Sequence, residues 1–401
     1  MSVNLFPSQA MQIPARLENT LRTEATPGLL AAAGVEAVTF LATPLLIPGL
    51  ADRYGVSPAT AGLVSTAQVG SFLLATFGAG RYLRPSAGVV RSALLALALA
   101  NLLSAIAPTL PLLLTLRVVA GLGMGFITWA AWASSLGLRG HQADVASAGP
   151  LAAMVATPLL GMVATGAGPT GIYLILAAAG IGALRLTLEL PEPLAPATTA
   201  DGPPPRRRSR RGLVGLAAFT IANSAVWVQM ATIGTGRLGM AGTTIGLLMA
   251  ANAGAGLIGA RRDTSILRPT TWLALAGPAV ALVILAPHPV LFGAALIAWG
   301  FLFQAGVPTI LNLIASRSSH PAAALGEAQS AMAIGRTIGP LTGAAVLGAP
   351  LAAAVAAPLL FLAGSRLTAP PPRSESPAPR GRSRDLSWFP QRRKFTSPQR
   401  R

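Results

Sequence analysis

Residues 203–211 read Pro-Pro-Pro-Arg-Arg-Arg-Ser-Arg-Arg, and this basic segment divides the chain into two sets of six long apolar stretches. Apolar residues make up 52% of the 401 residues, whereas charged residues make up only 10%. Each stretch is close to the ~20 residues with which a helix crosses a bilayer. The stretches lack the alternation of barrel strands, so helices that satisfy their own backbone groups are expected. The sequence therefore predicts an all-α polytopic membrane protein with twelve transmembrane helices in two pseudo-symmetric six-helix bundles.

The positions of these stretches predict the spans and the domains. The spans are predicted at residues 28–50, 60–80, 90–107, 111–137, 144–165, 170–188, 212–233, 243–260, 269–287, 290–315, 326–348 and 350–366. Ser57-Pro58 has the pattern of a helix start, with a capping residue before a proline. The domains are predicted as a cytoplasmic N-terminal tail (1–27), a first six-helix half (28–190), a cytoplasmic linker (191–211), a second six-helix half (212–367) and a disordered basic tail (368–401).

The distribution of arginine predicts the orientation in the membrane. The net charge of +18 lies in connections and tails, and the connections after even-numbered spans hold most of the arginines. By the positive-inside rule, these connections and both termini are cytoplasmic. This accounts for the charge without nucleic acid as a partner. Only Lys394 is lysine, a bias typical of a GC-rich bacterial genome, so the predicted location is a bacterial inner membrane, in contact with its lipids.

Two short segments recur at almost the same offset in the two halves. Thr-Pro-Leu-Leu-Gly at 157–161 matches Gly-Pro-Leu-Thr-Gly at 339–343, offset by 182 residues. Gly78, which follows the second span, matches Gly259 after the eighth span, offset by 181 residues. Parallel six-span repeats with a binding site between them near the midplane are a known transporter plan. The repeat therefore favours two similar halves around a central site.

The fourth span contains Leu-Leu-Thr-Leu-Arg-Val-Val-Ala-Gly-Leu-Gly at 113–123. With this segment, residues 28–367 resemble the major facilitator superfamily, whose proton-linked members carry an Arg followed by a Gly-x-Gly run; Ala120 stands where Gln is usual. The resemblance implies conformational or gating roles for family signature positions. These positions are Gly78, Arg81 and Arg84 after the second span, Gly259 and Asp263 after the eighth, and Pro158 and Pro340 in the fifth and eleventh. Tyr82 replaces the expected Asp, and the Arg expected after Asp263 is absent.

Glu36 is the one acidic residue of twelve that lies deep in a predicted span. An ionised carboxylate there is costly, so Glu36 is expected to be protonated, paired or facing a watery cavity. Each state suits a proton carrier. The resemblance adds that multidrug proton antiporters often hold a carboxylate in this helix before a Pro-Gly pair, here Pro48-Gly49. The alternative is a static carboxylate bonded to hydroxyls such as that of Thr39.

Arg117 is the predicted partner of Glu36. An arginine cannot lose its proton, so it needs a partner inside the membrane. The resemblance implies that the first and fourth helices face one cavity, so a switchable pair would link proton uptake at Glu36 to release of Arg117. Two alternatives stay open: a fixed structural pair, and an Arg117 bonded to backbone carbonyls.

A third set of residues is predicted to line the substrate cavity. Arg336 in the eleventh span either attracts an anionic group of the substrate or binds carbonyls at the cytoplasmic side. The aromatic and amide candidates are Trp129 and Trp132 in the fourth span, Asn223 and Trp227 in the seventh, and Trp299, Phe303 and Gln304 in the tenth. A tryptophan near a span end is more often an interface anchor, and helix packing also explains buried amides.

These features predict a monomeric secondary transporter that works by alternating access, without a cofactor. Proton-coupled efflux of a small organic compound is the leading function. Proton-coupled import or uniport of a metabolite shares the same fold, and a non-transporting membrane scaffold or sensor is the alternative from another class. An enzyme is not expected, because the three histidines lie in connections, no cysteine is present and no phosphate-binding loop ends in Lys-Ser or Lys-Thr.

Overall fold

The computed structural model describes residues 24–135, 139–194, 210–261, 267–316 and 321–369. All regular structure in these residues is helical, in agreement with the predicted all-α class. The predicted N-terminal tail, linker and basic C-terminal tail lie almost entirely outside the described residues.

Fifteen α-helices and three short turns make up the described part of the chain. The first half contains α1 (Pro27–Leu41), α2 (Thr43–Tyr54), α3 (Pro58–Ala61), α4 (Leu63–Tyr82), α5 (Ala87–Ala105), α6 (Leu110–Ser135), α7 (Arg139–Gly166), α8 (Gly168–Leu186) and the 3₁₀ turn Thr187–Glu189. The second half contains α9 (Arg210–Thr232), the π-helical turn Ile233–Arg237, α10 (Gly242–Arg261), α11 (Pro269–Leu285), α12 (Pro289–Ser316), α13 (Pro321–Ile338), the 3₁₀ turn Gly339–Thr342, α14 (Gly343–Gly348) and α15 (Pro350–Thr368).

Helices lie at all twelve predicted span positions, but they do not all have the length and composition of a membrane span. Nine helices in the described residues meet both conditions, and α1 and α2 together would make a tenth span. The helix α11 is apolar but has only 17 residues. The helix α13 carries Glu327, Gln329 and Arg336, which lower its hydropathy. The number twelve is therefore not confirmed by length and composition.

The first span is broken at Ala42, where α1 and α2 meet at an angle of 47°. Pro44 explains the break, because it has no N–H to donate and its ring clashes with the carbonyl of Phe40. The second span begins as predicted. The hydroxyl of Ser57 accepts a hydrogen bond from the N–H of Thr60 at 3.1 Å, and Pro58 is the first helical residue.

Glycines bring α6 close to its neighbours within the first half. A Cβ on Gly125 would lie 2.6 Å from the carbonyl oxygen of Phe72 in α4, and Gly121, one turn earlier, is packed even more tightly on Gln68. A Cβ on Gly123 would lie 2.8 Å from the carbonyl oxygen of Ala93 in α5. Small residues are what allow membrane helices to approach this closely. These contacts fix α6 between α4 and α5.

The helices α7 and α10 form a close contact between the two halves. A Cβ on Gly161 would lie 2.5 Å from the carbonyl oxygen of Gly242, and Gly246 packs its Cα against the backbone of Thr157. The hydroxyl of Thr157 donates to the carbonyl of Gly246 at 3.0 Å. The glycines Gly242 and Gly246 are four apart and therefore share one helix face. We call this contact the glycine seam.

Three hydrogen bonds between described residues join the halves. Besides the bond in the glycine seam, the hydroxyl of Thr66 donates to the carbonyl of Thr337 at 3.3 Å, and the amide of Gln229 donates to the carbonyl of Pro58 at 3.4 Å. Pro58 begins α3 and Gly246 lies near the start of α10. These bonds therefore lie toward the end of the bundle that contains the α2–α3 connection.

A methyl group added to the glycine seam is expected to destabilise the fold. We expect Gly246→Ala to lower the free energy of unfolding by about 1–3 kcal/mol, because the added Cβ overlaps the backbone of Thr157 and overpacking costs this much. The matched control is Gly182→Ala in α8, where a Cβ meets nothing within 4 Å. Thermal unfolding of the purified variants in detergent measures the difference. Equal midpoints for both variants would contradict the close contact.

Candidate functional site

Arg117 is enclosed by neighbouring helices, with 1% of its surface exposed. Its Nη1 donates to the side-chain oxygen of Asn101 at 2.9 Å, and its Nη2 donates to the carbonyl of Ala100 at 3.0 Å and the hydroxyl of Ser104 at 2.6 Å. Its guanidinium carbon lies 4.7 Å from the centre of the Tyr173 ring, a cation–π distance. Arg117 therefore ties α6 to α5 and α8 through neutral oxygens and an aromatic ring.

The predicted direct pair between Glu36 and Arg117 is not formed in this structure. The guanidinium of Arg117 points toward α5 and α8, whereas Glu36 lies on α1 and its electrostatic partner is another arginine. The contacts of Arg117 agree with the alternative in which it bonds to neutral oxygens. The hydroxyl of Thr39, which was considered as a static partner of Glu36, instead donates to the carbonyl of Val35 at 2.8 Å.

Glu36 is partly exposed and lies on α1 of the first half. Its carboxyl group faces the hydroxyl of Thr128 in α6, and the positive charge that acts on it is that of Arg336 in α13. The hydroxyl of Thr128 is buried, and no group other than this carboxyl faces it among the described residues. The structure thus brings together one carboxyl group, one hydroxyl group and one guanidinium group from three helices.

The backbone around Arg336 is fixed on two sides. Gly335 packs against Thr220 in α9, and the carbonyl of Thr337 accepts a hydrogen bond from Thr66 in α4. The side chain of Arg336 is itself partly exposed, and within the described part of the chain its guanidinium forms no hydrogen bond or ion pair. Arg336 therefore lies where the two halves meet, and the N–H groups of its guanidinium are free to donate to a ligand. We call Glu36, Thr128 and Arg336 the charged site.

An aromatic cluster joins α9 to α12. The indole nitrogen of Trp299 donates to the side-chain oxygen of Asn223 at 3.1 Å, and the rings of Trp227 and Trp299 meet edge to face at 5.9 Å. Trp299 is only 2% exposed, so in this conformation it supports its neighbours. The indole N–H of Trp227 is buried and has no partner in the described residues. Trp227 is thus the member of the cluster with an unused donor.

The other four predicted cavity residues lie apart from this cluster or pack within the helices. Phe303 meets Phe219 edge to face at 5.9 Å, and the side chain of Gln304 packs beside Gly256 in α10. Trp129 packs against the core of the first half. Trp132 is 41% exposed and lies in the last turn of α6, a position typical of an interface anchor.

The predicted gating positions differ in their surroundings. Pro158 lies inside the continuous helix α7 beside the glycine seam, whereas Pro340 is buried in the 3₁₀ turn that separates α13 from α14. Gly259 packs closely on α12, whereas a Cβ on Gly78 would meet nothing within 4 Å, and Arg84 is exposed. Asp263 and the side chain of Arg81 lie outside the described residues. Their gating roles stay predictions.

Sequence reasoning missed the neighbours of the three intramembrane charges. The signal for Asn101, Ser104 and Tyr173 was a polar side chain inside an apolar span, and Thr128 has the same signal. That signal marks buried polar groups but not their partners, because the partners come from other helices.

Solved structures share this arrangement of helices, although neither a protein-family model nor a curated protein matches the chain. A bacterial homologue of the human lysosomal transporter Spinster, in an inward-facing and occupied conformation, matches with a TM-score of 0.62 at 14% identity, over 85% of this chain and 93% of its own. The human organic anion transporter MFSD10 (TETRAN) matches with a TM-score of 0.56 at 17% identity, over 85% of this chain and 98% of its own. The chain has the fold of major facilitator superfamily transporters.

The major facilitator fold explains why the fourth-span motif has its spacing. Arg117 reaches α5 and α8, Gly121 packs on α4 and Gly123 packs on α5. One segment of α6 therefore supplies the contacts that hold three other helices of the first half. In this multi-pass membrane protein, the motif that carried the resemblance is a packing motif.

Removal of Arg117 is expected to destabilise the first half. We expect Arg117→Met to lower the free energy of unfolding by about 3 kcal/mol, because the buried oxygens of Asn101 and Ser104 and the Ala100 carbonyl lose their charged donor. Arg185→Met, at an exposed arginine in the last turn of α8, is the control and is expected to keep the wild-type value. Thermal unfolding in detergent compares the two. A wild-type midpoint for Arg117→Met would contradict the structural role.

Proposed function

We propose that this protein is a secondary active transporter that moves a small organic compound by alternating access and couples that movement to protons at Glu36. The observation that carries the proposal is the charged site, in which Glu36 of the first half lies within the field of Arg336 of the second half. When a carboxyl group and an arginine lie in opposite halves, the strength of their interaction changes as the halves move. A proton on Glu36 removes that interaction and so alters the balance between conformations.

The exposure of the intramembrane charges supports Glu36 over Arg117 as the coupling residue. Glu36 and Arg336 both keep part of their surface exposed, whereas Arg117 is enclosed. A proton carrier must exchange its proton with the aqueous phases. Arg117 then contributes by holding α6, the helix that carries Thr128, in place.

The contacts between the halves support a conformation that is closed at one end. The glycine seam and the hydrogen bond from Gln229 to Pro58 lie toward the end with the α2–α3 connection. Arginine placement assigns that end to the periplasm and both termini to the cytoplasm of a bacterial inner membrane. The charged site would then be reached from the cytoplasm, and rocking of the halves would open the seam. We propose that the transporter acts as a monomer surrounded by membrane lipids.

The direction of transport depends on how substrate and proton affect each other. Proton-driven efflux, the direction that the sequence favours, requires that proton and substrate exclude each other at the site. Proton-driven import requires that they bind together. A scaffold or sensor would need neither, and the accessible charges of Glu36 and Arg336 have no evident use in a static protein.

Replacement of Glu36 tests the coupling. A panel of dyes, antibiotics, sugars and organic acids first identifies a compound that the wild type carries across proteoliposome membranes. We expect Glu36→Gln to exchange that compound between the two sides of the membrane but to lose accumulation against its gradient when a pH gradient is imposed, because Gln cannot carry the proton. Accumulation is measured as the internal concentration of the compound.

The control for this variant is Glu189→Gln, at an exposed glutamate in the turn after α8, which is expected to accumulate the compound as the wild type does. If Glu36→Gln accumulates the compound and still responds to the pH gradient, the assignment of the proton to Glu36 is wrong.

A disulfide across the halves tests alternating access. A Cβ on Gly70 in α4 would lie 3.3 Å from the methyl group of Thr337 in α13, so Gly70→Cys with Thr337→Cys suits a disulfide. The chain contains no cysteine of its own, so background cross-linking is absent. We expect oxidation of the double variant to abolish transport and reduction to restore it.

The control is oxidised Gly70→Cys alone, which is expected to transport as its reduced form does. Wild-type transport by a fully cross-linked double variant would contradict movement of the halves at this contact.

A further inference from the structure

Arg336 has a guanidinium group whose donors are unused. Its five N–H groups form no hydrogen bond with any described residue, and the residue is partly exposed. Arginines inside membrane helices are normally paired with acids or bonded to backbone carbonyls, as Arg117 is. Arg237, at the end of the seventh span, likewise donates to the carbonyls of Ile284 and Ala286. Arg336 departs from this rule.

The chemistry of the guanidinium group specifies what would complete the site. A planar fork of N–H donors matches a carboxylate, phosphate or sulfonate group, which can accept two parallel hydrogen bonds. The hydroxyl of Thr128 is a further buried polar group at this place, and it faces the carboxyl group of Glu36. A ligand with an anionic head would satisfy the fork of Arg336.

The carboxylate of Glu36 competes with an anionic ligand for the guanidinium of Arg336. While Glu36 is ionised, its negative charge lies near the guanidinium and repels a second anion from the same place. When Glu36 takes up a proton, that repulsion is lost and the field of Arg336 is no longer offset. Proton binding and anion binding therefore favour each other, and by linkage each increases the affinity for the other by the same factor.

Other charged or titratable groups lie on the elements that pack against α1. Among the described residues, the charge that acts on the Glu36 carboxyl is that of Arg336. The charged or titratable groups on helices and turns packed against α1 are Asp52, Arg53 and Tyr54 of α2, Arg91 of α5, Arg117 of α6, Arg139, His141 and Asp144 of α7, Tyr173 and Arg185 of α8, and Glu189 of the 3₁₀ turn. Of these, His141 is the histidine, so the test includes a variant of it as a control.

We infer that the substrate is an organic anion that binds Arg336 when Glu36 is protonated, so that substrate and proton cross the membrane together. This inference rests on the proposed function and deepens it. An organic cation would have to bind ionised Glu36 while the adjacent Arg336 repels it. Coupling of an anion and a proton in the same direction favours the import alternative over efflux, because the inward proton gradient then drives uptake.

The test uses two probes of fixed and opposite charge on the same ring system, 2-naphthalenesulfonate and (2-naphthylmethyl)trimethylammonium. Their charge does not change with pH, so any pH dependence belongs to the protein. Equilibrium dialysis of the full-length protein in detergent measures Kd at pH 6 and pH 8. We expect the sulfonate to bind about tenfold more tightly at pH 6, within the usual range of coupling between sites, and the ammonium probe to bind more weakly than the sulfonate at both pH values.

Variants measure the contributions of Glu36 and Arg336 to binding separately. We expect Glu36→Gln to bind the sulfonate at both pH values as tightly as the wild type does at pH 6, and Arg336→Gln to lose at least tenfold in affinity. Arg336→Lys, which keeps the charge but not the fork, is expected to bind with intermediate affinity. The controls His141→Gln and Arg185→Gln are expected to keep the wild-type pH dependence and affinity. Thermal unfolding midpoints establish that each variant is folded.

Several outcomes would overturn the inference. These are preference for the ammonium probe, sulfonate binding that Arg336→Gln does not weaken, tighter sulfonate binding at pH 8, and binding of neither probe. Such results leave the proposed function standing if Glu36→Gln still loses proton-driven accumulation. Conversely, if Glu36→Gln keeps that accumulation but the sulfonate binds as expected, the proton assignment fails and the anion site remains.

Discussion

The lipid interior offers no hydrogen-bond partner, so every charge within the membrane must find its partner inside the protein. Arg117 meets most of this constraint, with two side-chain oxygens, one carbonyl oxygen and an aromatic ring around its guanidinium, and its buried Nε has no partner in the described residues. Because these partners belong to α5 and α8, satisfying the charge also fixes the position of α6. The helix that carries Thr128 is thus held rigidly where the charged site needs it.

Arg336 does not meet the same constraint within the described residues. Its backbone is fixed by contacts with α9 and α4, yet its guanidinium forms no hydrogen bond with any described residue and lies in the field of Glu36. Positioning is therefore provided by Gly335 and Thr337, and the charge is left available. A residue that is held firmly but unsatisfied is suited to a ligand that arrives and leaves, whereas a residue satisfied by its own neighbours is suited to structure.

Close backbone contact is what relates the two halves. The glycine seam lets α7 and α10 meet without intervening side chains, and a carbonyl–hydroxyl bond from Thr157 crosses it. Such a contact uses few side-chain interactions that would have to be broken when the helices slide or tilt. The proline positions differ between the halves, since α7 continues through Pro158 whereas the helix stops before Pro340. The two halves are therefore alike in topology but differ in where their helices are interrupted.

The sequence alone determined the helical membrane fold, the positions of the helices, the start of the second span at Ser57 and the three residues that carry charge into the membrane. Hydrophobicity and capping are local properties, so they can be read along the chain. Only the tertiary structure decided that Arg117 is enclosed and that the positive charge acting on Glu36 is that of Arg336. Both are arginines in apolar helices, and their local sequences do not distinguish them. The difference depends on how each helix is rotated about its axis and which helices surround it, and these are set by packing between segments far apart in the chain.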